Sequence, residues 1–184
     1  FKNKHVGNFG DIGCFSFHPL KNLSALGDGG MIVTKNKKTF DWLRKARING
    51  HPHRDECDFP SHNMRLSNLQ AGILNLKLKT LNRNVIKKRR LIAKIYYENL
   101  KNLVYIEPEF KYYKNSYHTF IIQTKKRDKL RSYLKSKNID TKIHYPKPIH
   151  KMNYYKKNFK VKLINTEAIS RRILSLPISE KLTL

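Results

Sequence analysis

The hydrophobic positions of this chain follow two grammars. Over residues 12–17 an apolar run (Ile12-Gly13-Cys14-Phe15-Ser16-Phe17) reads as a buried strand, and Pro19 stops its ladder. A Gly-rich corner, Gly27-Asp28-Gly29-Gly30, reverses the chain, and residues 31–34 run back as a second strand. The period then becomes helical. Phe40, Leu43 and Ala46 predict a helix over 39–48 that Asn49-Gly50 ends. Leu66, Leu69, Ile73 and Leu76 step by three and four, and a break is expected at Asn82-Arg83-Asn84. A further helix carries Val85, Ile92, Tyr96 and Leu100.

Beyond Asn102 strands and helices alternate. Strands are expected at 104–106, 117–124 and 139–145, with helices over 128–137 and 166–174. Pro146-Lys147-Pro148 stops the third strand, and Leu176-Pro177 closes the last helix. The fold class is α/β, with a second, small α+β layer whose boundary is expected near Leu100. No internal repeat and no low-complexity tract interrupts this pattern.

Composition adds limits. The 184 residues suit one ordinary domain or a large piece of something bigger, and 39% hydrophobic residues suffice for a core. No run is long and apolar enough to span a membrane as a helix. Residues 1–5 have no apolar segment behind them, so no signal peptide is expected. Opening on Phe1, the chain reads as one whose start lies elsewhere. Cys14 and Cys57 have no motif spacing and fit reduced thiols in a cytoplasmic protein.

Charge is the largest compositional deviation, with 39 Lys+Arg against 13 Asp+Glu and a formal +26. Nucleic-acid binding is one reading. The basic residues are spread along the whole chain beside abundant Asn, Ile and Tyr, which favours compositional drift. An anionic substrate such as a sugar nucleotide would also suit such a surface. The loop 51–62 gathers His51, His53, His62 and Cys57, but in no usual zinc spacing. A mobile loop with incidental histidines is expected there, and no metal.

Lys21 is the candidate for chemistry. It sits in the connection between the first two strands, five residues after Ser16. A partly buried amine loses its proton more readily and can form a Schiff base with an aldehyde. Ser16 would bind a cofactor phosphate while Lys21 reaches the ring. Taken alone, this spacing is a weak signal that favours a surface lysine in a polar turn.

The motifs are more specific than the spacing. Residues 10–23, Gly-Asp-Ile-Gly-Cys-Phe-Ser-Phe-His-Pro-Leu-Lys-Asn-Leu, followed by Gly27-Asp28-Gly29-Gly30, closely resemble the signature of DegT/StrS-type sugar aminotransferases, pyridoxal-phosphate enzymes of fold type I. Further resemblance runs through His62-Asn63-Met64-Arg65-Leu66-Ser67-Asn68-Leu69-Gln70-Ala71 and through Arg89-Arg90 with Ala93 and Tyr96. It continues in Arg127-Asp128 with Leu130, in Ile139-Asp140-Thr141 with Ile143-His144-Tyr145-Pro146, Pro148 and His150, and in Leu174-Ser175-Leu176-Pro177. These matches cover nearly the whole chain in order.

The resemblance implies specific roles. Lys21 corresponds to the lysine that carries pyridoxal phosphate and moves the proton between Cα of the amino donor and C4′ of the cofactor. Ser16 corresponds to a phosphate-binding hydroxyl. Asn63 corresponds to an asparagine reaching the cofactor phosphate of the neighbouring subunit, so a homodimer with shared active sites is implied. His144 and Tyr145 fall in a segment that can approach the sugar nucleotide, although a packed strand end describes them equally well. The domains implied are an incomplete cofactor-binding large domain (1–65), connecting helices (66–100) and a small α+β domain (101–184) whose last helix is truncated.

Three departures stand out. His62 replaces a glycine, Ser67-Asn68 replaces two carboxylates, and Leu20 stands where a threonine is common. The family's amino-terminal half, which carries the acid facing the pyridine nitrogen, is not among these residues. The expected activity is transfer of an amino group, with glutamate as donor, to a keto group of a nucleotide-linked deoxysugar for cell-surface polysaccharide or related sugar synthesis. Lys21 to Gly30 leans toward the branch acting on 3-keto sugars. The alternatives are a dehydratase of the same family, an inactive fragment, or a basic nucleic-acid-binding protein. By itself this half is expected to be inactive. A membrane partner is not expected.

Overall fold

In a computed structural model, residues 1–182 are described. They form two compact units, Phe1–Arg83 with Lys111–Lys114, and Asn84–Phe110 with Asn115 onward. The dividing line falls inside the helical stretch read above as a connector, so each unit takes part of it.

In the first unit, strands β1 (Ile12–Ser16) and β2 (Gly30–Thr34) pair antiparallel, from Ile12 opposite Thr34 to Ser16 opposite Gly30. The hairpin differs from the buried pair expected. Ile12, Met31 and Ile32 are each nearly half exposed, and Gly13 is the one buried residue of β1. A continuous apolar run is the pattern of a strand covered on both faces. The described residues do not cover both.

Helix α1 (Lys37–Ala46) starts two residues earlier than the apolar period suggested, because the Asn36 side chain caps it by accepting from the Thr39 N–H at 3.0 Å. The loop expected to be mobile is tied down after α1. Ser61 Oγ donates to the Ala46 carbonyl at 2.7 Å, Lys45 pairs with Asp58 at 2.5 Å, and Phe59 stacks on Trp42 with ring centroids 5.2 Å apart. Gly50 makes this closure possible. Its φ is +80°, and a Cβ there would lie 1.7 Å from the Phe59 carbonyl oxygen.

Helix α2 (Asn68–Thr80) is capped by Ser67, whose hydroxyl accepts from the Gln70 N–H at 3.3 Å. The break expected at residues 82–84 does not occur. The chain stays helical through a π-helical stretch, Leu81–Ile86, into α3 (Lys87–Leu100). Asn82 and Asn84 weaken the helix without stopping it as Pro would, and a wider turn absorbs the irregularity.

The second unit is built on an antiparallel sheet in the order β3 (Tyr105–Ile106), β4 (Phe120–Gln123), β5 (Ile173–Leu176). Two expectations fail here. Residues 139–145 form no strand and contribute one isolated bridge, Lys142 with Ser175. The expected helix over 166–174 ends early: α6 covers Ile164–Ser170, and the chain then turns into β5. Register explains the change. Phe120 pairs with Leu176 and Ile122 with Leu174, which puts four apolar side chains on one face. The core consists of Ala93, Phe120, Ile122 and Leu174, and Leu174 is 0% exposed. Helix α4 (Arg127–Ser136) packs Leu130 and Leu134 against it.

Charged clasps complete this unit. Arg89 is buried, pairs with Glu180 at 3.0 Å and donates to the carbonyls of Tyr117 and His118. Burial pushes the Glu109 carboxyl up. Hydrogen bonds from Arg90, the Asn115 N–H and the Tyr117 hydroxyl outweigh that effect and hold it below its ordinary value.

A short 3-10 turn (Ile149–Lys151) and α5 (Asn153–Asn158) precede α6. Glu167 of α6 accepts from His150 at 3.1 Å, from Lys151 at 3.1 Å and from the Leu163 N–H at 3.4 Å. The His150 and Lys151 hydrogen bonds pull its pKa from 4.5 down to about 2. The stability it contributes is therefore present above the ordinary carboxyl value of 4.5 and is lost as pH falls toward about 2. Glu167→Gln is expected to flatten that part of the thermal-midpoint profile. An unchanged slope of midpoint against pH over this window would refute the assignment.

Candidate active site

The connection between β1 and β2 is a closed loop. The Phe17 N–H donates to the Gly29 carbonyl at 2.8 Å, and the Ala25 N–H donates to the Phe17 carbonyl at 2.7 Å. Phe17 and Ala25 are buried with Leu74 of α2, and Leu23 and Leu66 pack against them. Apolar side chains on both sides of Lys21 thus root the loop in a small core, so the positions of its polar residues are defined.

Within the loop, backbone and side chains make one continuous turn. Ser16 Oγ accepts from the His18 N–H at 3.3 Å, and His18 Nδ1 accepts from the Leu20 N–H at 3.2 Å. The Lys21 N–H donates to the His18 carbonyl at 2.8 Å. Lys21 is half-buried and Ser16 is exposed. Because Ser16 Oγ is an acceptor for His18, its own proton remains to be donated, as a phosphate oxygen requires.

Lys77 is a residue that sequence reasoning missed. It reaches from α2 to donate to the Ser24 carbonyl at 2.7 Å and to Ser24 Oγ at 3.1 Å. That fastens the loop three residues beyond Lys21. No local signal marks it, because its partner lies 53 residues away in sequence.

Asn63 belongs to the same compact unit. It is exposed, bridges Ile48, and its Oδ1 accepts from Arg65 Nε at 3.0 Å. That contact orients the amide with its N–H groups free to donate to another acceptor. His144 and Tyr145 lie in the other unit. His144 Nδ1 is 2.9 Å from Ser175 Oγ, and Tyr145, 71% exposed, stands edge-on to the imidazole with centroids 5.5 Å apart. His144 lines a groove of about 620 Å³ together with Tyr96, His118, Asp140 and Lys142. The expected packed strand end is corrected accordingly: this segment is not a strand, and its histidine faces an open groove. Among the described residues no group of three or more His, Cys, Asp or Glu is assembled that could hold a metal ion. The loop holding the three histidines uses Cys57 as a hydrogen-bond donor to the carbonyls of Asn49 and Phe59.

The whole chain resembles known proteins. The chain is 37% identical over 178 residues to a UDP-N-acetyl-3-dehydro-alpha-D-glucosamine 3-aminotransferase of Acidithiobacillus ferrooxidans, covering 96% of this chain and 48% of that protein. Its fold matches S. venezuelae DesV, solved in complex with a ketimine intermediate, with a TM-score of 0.93 and 31% identity over 100% of this chain and 50% of DesV. It also matches NtdA of Bacillus subtilis, solved with its bound cofactor PMP, with a TM-score of 0.88 and 27% identity over 98% of this chain and 44% of NtdA. The chain spans about half the length of the curated relatives it matches. The model of one family, DegT/DnrJ/EryC1/StrS aminotransferase, matches residues 1–184. With its length matched from end to end, and its motifs in the order that family shows, this chain belongs to the DegT/DnrJ/EryC1/StrS aminotransferase family.

Proposed function

We propose that the protein bearing this chain is a pyridoxal-phosphate-dependent aminotransferase that converts a keto group of a nucleotide-linked deoxysugar to an amine, with glutamate as donor. The observation that carries this reading is the rooted loop that presents Ser16 and Lys21 from one turn, in a chain whose entire length matches an aminotransferase family. The name of the Acidithiobacillus relative specifies amination at the 3 position, which agrees with the lean of residues 21–30 toward 3-keto sugars.

The residues present fit the cofactor. Ser16 has a hydroxyl proton to give to the phosphate, and Asn63 has amide N–H groups for the phosphate of a neighbouring subunit in a homodimer. When bound, pyridoxal phosphate supplies a ring that takes up the electron pair left as a proton departs from the donor's Cα. Lys21 Nζ is the base that removes that proton and returns one to the product carbon. Lys77 holds the loop through Ser24, so Lys21 keeps its aim. His144, on the wall of its own groove, is the residue offered to the sugar nucleotide, with Tyr145 beside it. In this reading the carboxylate facing the pyridine nitrogen lies outside these residues.

Borohydride reduction in the presence of pyridoxal phosphate, followed by peptide mapping, tests the assignment. The expected result is one dominant adduct, on Lys21. An adduct distribution spread evenly over the surface lysines would overturn it.

A further inference from the structure

On the reading that His144 meets the sugar nucleotide, we propose that Ser175 is a positioning residue. Its hydroxyl holds the His144 imidazole with Nε2 as a hydrogen-bond donor to an oxygen of that ligand.

Strand alternation sets Ser175 apart from its neighbour. Leu174 enters the core, and Ser175 points to the other face of β5, where it is itself only 6% exposed. The segment 141–144 lies along this strand edge. The Ser175 N–H donates to the Lys142 carbonyl at 2.8 Å, and the Ser175 carbonyl accepts from the Lys142 N–H at 3.2 Å. Thr141 is buried and Ile143 packs against the core, so the backbone on both sides of Lys142 is fixed. His144 is thereby held with Nδ1 2.9 Å from Ser175 Oγ.

The direction of that hydrogen bond follows from burial. A buried hydroxyl must place its proton, and among the described residues Nδ1 is the one acceptor paired with Ser175 Oγ. A donating Nδ1–H would strand the serine proton there and leave a buried polar group unsatisfied. Ser175 therefore donates, Nδ1 accepts, and the neutral imidazole carries its proton on Nε2. Nε2 is directed away from Ser175, and His144 lines the groove with Tyr96, Asp140 and Lys142. The groove thus receives an aimed N–H donor, which favours a ligand that offers a hydroxyl, carbonyl or phosphate oxygen at that point.

Ring-nitrogen NMR and steady-state kinetics on the protein bearing this chain test the proposal. In alkaline buffer the parent's His144 ring should show a protonated Nε2 and an Nδ1 signal shifted by the hydrogen bond it accepts. Ser175→Ala should remove that shift. The variant keeps Leu174 and both backbone bonds to Lys142, so its circular dichroism should match the parent's. With a UDP-linked 3-keto sugar as the probe substrate, Ser175→Ala should raise KM about three- to tenfold, the scale of one hydrogen bond, and change kcat by less than about twofold. In a His144→Asn background it should add no further rise. Four outcomes would overturn the proposal: a protonated Nδ1 in the parent, an Nδ1 signal that Ser175→Ala leaves unmoved, an unchanged KM, or a rise that persists in the His144→Asn background. A parent that forms no borohydride adduct at Lys21 defeats the aminotransferase reading instead, and the ring-nitrogen signals still decide the Ser175 contact.

Discussion

Replacing Lys21 with Ala in the protein bearing this chain is expected to abolish the visible absorbance of lysine-bound pyridoxal phosphate and to lower transamination by on the order of 10³-fold, the scale of a lost positioned acid–base group. The fold should survive. Lys21 is half-buried, and the core beneath it consists of Phe17, Ala25 and Leu74, with Leu23 and Leu66 against them. The variant's thermal midpoint should therefore stay close to the parent's. On the proposed assignment, Ser16 is still expected to hold the cofactor phosphate, so fluorescence of bound cofactor separates loss of chemistry from loss of binding. Persistence of the visible band in Lys21→Ala would refute the lysine assignment and leave the family membership intact.

The largest effect on stability is expected at Leu174. Its side chain is 0% exposed and shares the core with Ala93, Phe120 and Ile122. Leu174→Ala removes buried methyl groups and leaves a cavity that a strand paired along its length cannot easily collapse. The expected cost is about 2–5 kcal/mol in the stability of the second unit. Chemical denaturation checks it, and Leu174→Ile should cost less than about 1.5 kcal/mol because volume is conserved. A small effect of Leu174→Ala would mean that β5 does not sit at the centre of this core. Because Lys21 lies in the other compact unit, the same variant should leave the borohydride adduct at Lys21 in place.

These two residues also differ in how far they could be read ahead of the structure. The Lys21 connection was legible because its signals are local: an apolar run, a proline that stops a ladder, and glycines where the chain reverses. Sequence pattern alone puts Leu174 at the end of a helix over 166–174. A short apolar stretch carries no decisive period, and only its pairing with Phe120 and Ile122 settles it as strand. The break expected at residues 82–84 failed for a related reason: weak helix formers do not end a helix when packing on either side favours its continuation. Lys77, Glu167 and Glu109 left no trace in local pattern, since each acts on groups made neighbours by the fold.

By itself the sequence determined the family motifs, the order of the elements as far as Leu100, the lysine between two strands and the excess of positive charge, all of which depend on residues close together along the chain. Tertiary structure decided which face of each strand is covered, that residues 173–176 complete the sheet, that Lys77 fastens the loop of Lys21, and that Glu167 gathers His150, Lys151 and the Leu163 N–H. Contacts between distant residues form only when the chain closes long loops, and local propensity carries no information about which distant partner will be met.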